Sequence, residues 1–106
     1  MTEINIQKYR ESGSKIFSGR SMGISARQEN ELTKKDSDLE EYNIIVPEDT
    51  YSISGSFFGG MFSDSVLNLG EEKFKEKYHF KFKKSEINEV LQEDIEEGIY
   101  DVLNMR

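Results

Sequence analysis

The 106-residue chain has no cysteine, no tryptophan, one proline and one histidine. Without cysteine there is no disulfide, no thiolate nucleophile and no cysteine-based zinc site. A lone imidazole, His79, with no second histidine nearby, leaves a transition-metal centre without a ligand set, so no metal is expected. There is no Walker glycine loop, Gly-x-Ser-x-Gly elbow or dinucleotide fingerprint, so neither an enzyme nor a cofactor is expected. No apolar run approaches the roughly 20 residues needed to span a bilayer. The opening Met1-Thr-Glu-Ile-Asn-Ile6 has neither the basic nor the apolar part of a secretory leader. Positive charge is also scarce: 14 bases stand against 21 acids, a net charge of −7. That balance argues against a direct nucleic-acid binder, which needs a basic footprint. It permits docking to a basic protein surface. These absences leave the expectation of a cytoplasmic protein, of a cell or of a virus expressed in one, with no membrane segment.

What is present fits one folded unit. The length suits a single domain with one core, and seven Phe and five Tyr supply core volume. Residues 1–24 read as an N-terminal strand and arm, and 25–106 as an α/β core. Glu3–Ile6 is a short strand, with Lys15–Phe17 as its expected pairing partner across an irregular or hairpin segment. Ser25 and Gln28 have the spacing of a capping box, which predicts a helix from Ala26 to Leu39. Tyr42–Val46 is an apolar strand ended by Pro47. Phe57, Phe58, Met61, Phe62, Ser65, Val66 and Leu69 recur at helical spacing, so a helix is expected over 56–69 with Gly70 just past its end. Phe74 anchors the turns that follow. Tyr78–Lys83 alternates as a half-buried strand, with His79 outward. Ser85 is the expected cap of a last helix whose stripe runs from Ile87 to Leu103. Helices alternating with strands imply α/β layers and parallel strands, three or four in number. The predicted core includes Ile44, Val46, Phe57, Phe62, Val66, Phe80, Phe82, Leu91 and Ile95.

The most informative stretch is Asp49–Gly70, a small-residue turn after a strand and before a helix. Free backbone N–H groups at such a helix start can hold an anion or a partner's acidic group. Several spaced features accompany it: Ile4-Asn-Ile6, Gly19-Arg20, Ala26-Arg27, then Asp49, Tyr51, Ser54-Gly55-Ser56-Phe57 and Phe62, then Leu69-Gly70, Phe74 and Tyr78–Phe82. In this order the chain resembles the STAS-like domain family, a bacterial and phage group related to anti-sigma-factor antagonists. The resemblance covers most of the chain, although no single motif in it is specific. It implies a small STAS-like fold and a non-enzymatic regulatory role in which the chain binds another protein. That partner would be a regulatory ATPase or kinase, or a transcription-associated factor. Two departures stand out. Where the antagonists carry Asp and then a phosphoacceptor Ser, this chain has Ser54 and Gly55, so that switch does not transfer residue for residue. Gly59 and Gly60 also stand where acidic residues are common.

Each candidate carries two readings. Ser54, Gly55 and Ser56 are either a phosphorylatable, anion-binding turn or a plain helix start, with Ser56 as the cap and Gly55 permitting the turn. Two helical glycines cost roughly 1 kcal/mol each against alanine, which is offset either by a partner's approach, including a second copy, or by close internal packing. Arg20 and Arg27 are either clamps for a carboxylate or phosphate, or solvated surface cations. The acidic patch Glu93, Asp94, Glu96 and Glu97 is either a solvated face or a weak calcium ligand set, without EF-hand spacing. The expected protein-binding surface is Ser54, Gly55, Ser56, Gly59, Gly60, Ser63 and Asp64. The competing reading is a phage-encoded acidic inhibitor that blocks a basic channel on a host protein.

Overall fold

Apolar runs separated by helical connections leave each strand without a nearby partner, and this chain pairs all its strands in parallel. The computed structural model describes residues 2–104. Along the chain come β1 (Thr2–Asn5), β2 (Ile16–Phe17), α1 (Arg20–Glu29), α2 (Leu32–Ser37), β3 (Tyr42–Ile45), β4 (Ser52–Ile53), α3 (Gly55–Lys77), β5 (Tyr78–Lys81) and α4 (Glu89–Asn104). The fold is α/β. Its five strands form two sheets, β1-β3-β5 and β2-β4, rather than one sheet of three or four.

In the larger sheet Ile4, Ile44 and Phe80 share one row, and Glu3, Asn43 and His79 the next. Alternation therefore turns the first set towards the helices and leaves the second on the outer, polar face. Ile44 and Val46 are buried, as are Phe57, Phe62, Val66, Leu91 and Ile95. Phe80 and Phe82 are half-buried and pack against the core. Phe62 is the hub of the aromatic cluster, with ring centroids 5.3 Å from both Phe74 and Phe80 and 5.5 Å from Tyr78. His79 is half-buried rather than exposed, and its Nε2 lies 2.9 Å from Glu41 Oε1.

Several local expectations are corrected. Ile16–Phe17 pairs with Ser52–Ile53, not with β1, because Tyr51 N–H donates to Lys15 O and Ser54 N–H to Phe17 O. The segment before residue 25 is not an arm: Ile4, Ile6, Tyr9 and Phe17 are all core residues. The first helix begins at Arg20, after Gly19 at φ 90°, so Ser25 lies inside it and the 24/25 boundary cuts through it. The helix expected over 26–39 is two helices, divided at Glu31 with φ 52°. Such a left-handed residue costs about 1–2 kcal/mol. Here its carbonyl accepts from Lys34 N–H and Lys35 N–H, both at 3.1 Å. Gly70, at φ 82°, breaks the path of α3, and buried Phe74 anchors the continuation. The last helix is capped by Asn88, whose Oδ1 accepts from Leu91 N–H at 3.0 Å, and not by Ser85.

Candidate functional site

The turn before α3 is built around the hydrogen bonds of Ser54, which caps the helix in place of the expected Ser56. Ser54 is the N-cap: its Oγ accepts from Phe57 N–H at 3.1 Å, and its carbonyl accepts from Phe58 N–H at 3.0 Å. Ser56 Oγ lies 3.1 Å from Ser54 Oγ, and Gly55 and Ser56 are exposed. The opposite wall comes from α4. Asp94 Oδ2 accepts from Ile53 N–H at 2.9 Å. Asp101 Oδ2 lies 3.9 Å from where a Cβ on Gly55 would stand. Between the walls lies a cleft of about 220 Å³, lined by Ser52–Gly55, Asp94, Glu97, Gly98 and Asp101. Gly98 lets α4 come this close, because a Cβ there would sit 2.5 Å from the Phe58 ring. Among the described residues, Asp94, Glu97 and Asp101 have no cation within ion-pair distance. The cleft is therefore electronegative, and it favours a cationic group over the anion expected at a helix start.

The other candidates separate from this cleft. Gly59 and Gly60 are buried, which corrects their placement on a binding surface. A Cβ on Gly60 would lie 2.3 Å from Arg20 O, and one on Gly23 would lie 2.2 Å from Phe57 O. These facing glycines let α1 and α3 touch backbone to backbone, which offsets their helical cost. Ser63 is half-buried, and Asp64 is exposed further along α3, its Oδ2 3.9 Å from Arg27 Nε. The seven residues expected to form one surface thus divide among the cleft, the helix contact and the far side of α3.

Arg20 is exposed at the start of α1, with its Nη1 beside Gly59. Arg27 is not a surface cation. It is 8% exposed and forms an ion pair with Asp36 at 2.8 Å. Its Nη1 also donates to Met61 O at 3.0 Å and to Ser65 Oγ at 2.8 Å. Ser65 Oγ donates to Asp36, and Tyr78 OH donates to Asp36 Oδ1 at 2.6 Å. Burial and this bond to Asp36 push the Tyr78 hydroxyl well above its ordinary pKa. The network ties α1, α2, α3 and β5 together, and Arg27 does clamp a carboxylate, one belonging to its own chain. Sequence reading missed Asp36 and Ser65 because their partners lie up to 42 residues away. It noted Asp94 and Glu97 only as part of an acidic run.

No group of three or more His, Asp or Glu side chains among the described residues is arranged to hold a metal ion. Among these residues no helix is long and apolar enough to cross a membrane. Comparison with protein-family models, curated proteins and solved structures finds no match to this chain. The STAS-like reading therefore rests on the chain's own residues.

Proposed function

We propose that this chain is a non-enzymatic, protein-binding regulatory module whose contact surface is the cleft between the Ser54–Ser56 turn and the acidic face of α4. The observation that carries this reading is the trio Asp94, Glu97 and Asp101 facing an exposed small-residue turn, with no neutralising cation among the described residues. A lysine or arginine of a partner would supply the missing charge, and the turn's small side chains leave room for its backbone. The STAS-like resemblance supports a regulatory ATPase or kinase, or a transcription-associated factor, as the class of partner, in the cytoplasm. Affinity capture from the native host should recover a partner with the parent chain. Glu97→Lys and Asp101→Lys, checked for folding by circular dichroism, should lose it. Undiminished capture by both folded variants sinks the proposal.

A second reading has its own support: α4 carries Glu89, Glu93, Asp94, Glu96, Glu97 and Asp101 and no basic residue. An acidic inhibitor that occupies a basic nucleic-acid channel would use that whole face. Its binding would weaken steeply with salt and would compete with nucleic acid for the host protein. A local cleft contact depends on fewer charges and has a shallow salt dependence.

A further inference from the structure

A lone exposed leucine is ordinary on a protein surface. Leu39 is set apart by what holds it. Its relative exposure is 103%, so its side chain is open to solvent. The backbone on both sides of it is nevertheless pinned by Lys77, which is 8% exposed. Lys77 Nζ donates to Asp38 O at 2.8 Å, to Asp38 Oδ1 at 2.7 Å and to Glu40 O at 2.8 Å. Asp38 Oδ1 also accepts from Glu40 N–H at 2.9 Å, and Tyr42 OH donates to Asp38 Oδ2. The ammonium stands 5.5 Å from the centre of the Tyr42 ring. An apolar side chain projected from an already ordered loop is a ready anchor, since burying it costs little further ordering.

Leu39 stands on the wall of a shallow hollow of about 320 Å³, which Glu40, Leu69, Lys73 and Glu76 also line. Among the described residues Lys73 has no carboxylate within ion-pair distance, and Glu40 and Glu76 have no cation. One face thus carries a knob, a hollow, and unpaired charges of both signs. We propose that it is a self-association surface, on which two copies pair about a two-fold axis. Leu39 of each copy enters the hollow of the other, and Lys73 of each meets Glu40 of the other. A two-fold contact requires a surface complementary to itself, and this face offers an unpaired charge of each sign, Lys73 and Glu40, around one apolar side chain. A contact of this kind is also what a chain of charge −7 needs, because a local cation must offset the mutual repulsion of two acidic bodies. A contact centred on one leucine and one charge pair from each copy falls short of the roughly 20–30 residues a side of a stable complex, so the dimer is weak and exchanges rapidly. None of the cleft residues takes part in this contact.

Sedimentation velocity of the purified chain from micromolar to millimolar concentration tests it. The weight-average mass should climb from one chain towards two. Leu39→Asp should weaken association at least about tenfold, and Lys73→Glu about tenfold. The double variant Lys73→Glu with Glu40→Lys should return to within about threefold of the parent, because each exchanged charge again meets its opposite across the axis. A methyl NMR dilution series of the parent should move the Leu39 and Leu69 signals together, a readout that needs no variant. The proposal is overturned by a parent that stays a single chain at millimolar concentration, or by a dimer that Leu39→Asp leaves intact. A charge exchange that fails to restore what Lys73→Glu removed also overturns it.

Discussion

The Ser54–Ser56 turn and the Gly59-Gly60 pair lie within one stretch of α3, are built from equally small residues, and do opposite things. The turn is exposed and faces a charged cleft. The pair is buried, and its second member, Gly60, lets a neighbouring backbone approach. Small side chains therefore signal close approach without saying by what. What decides is the helical phase. Gly60 falls on the side of α3 that faces Gly23 and Arg20 of α1, whereas Gly55 falls at the helix mouth, opposite Asp101. A cost in helix propensity can thus be offset entirely within one chain, and it needs no partner to explain it.

The contrast sets the size of the expected effects. Gly60→Arg should prevent folding, because even a methyl group there would meet Arg20 O at 2.3 Å. Gly60→Ala should already cost about 1–3 kcal/mol or more by overpacking. Urea melts decide this, and a Gly60→Ala variant as stable as the parent would refute the backbone-to-backbone contact. Asp36→Ala should cost about 3–5 kcal/mol, since it strands the buried Arg27 guanidinium and the Tyr78 hydroxyl. A loss well under 1 kcal/mol in the same melts would mean that water reaches Arg27. On the open side, Ser54→Ala should cost only about 1 kcal/mol, the worth of a cap, with the remaining structure intact by heteronuclear NMR.

The gentlest effect is that of acid on the loop bearing Leu39. Bonds from Lys77 and Tyr42 lower the Asp38 pKa from 3.8 to about 2. A carboxylate lowered on folding stabilises the fold above its unfolded pKa, and that contribution fades as pH falls through the folded value. Stability should therefore decline between pH 4 and 2, and Asp38→Asn should flatten that part of the curve. At the alkaline end, burial and the bond to Asp38 raise the Tyr42 hydroxyl to about 12. Its contribution is complete below pH 10 and is lost as pH rises towards 12.

Much of the fold was legible because periodicity is local. The apolar run at Tyr42–Val46, the alternation from Tyr78 and the helical recurrence from Phe57 to Leu69 each carry their own signal, and each element stands where expected. Pairings between distant segments carry none. Nothing in Lys15–Phe17 tells β4 from β1 as its neighbour, and two-residue strands have no alternation to read. Arg27 looks like any helical arginine until α2 folds back to set Asp36 beside it. Of the candidate site, the small-residue turn was legible, but the cap falls on Ser54 and not on the expected Ser56. The acidic wall was not, because its nearness depends on Gly98 admitting α4 against Phe58.

The wholly parallel pairing bears on how the molecule is made. Each pairing joins strands 36 or 40 positions apart, so loop closure must precede any gain from the ladder, a circumstance that slows folding. Among the described residues no two strands pair as a hairpin that could nucleate early, and β3 has both neighbours only once β5 is available. A nascent chain that ends before Tyr78 would therefore hold Ile44, Phe58 and Phe62 without their cover. Such a fragment is expected to be sticky and chaperone-dependent, and useful truncations of this protein should be few.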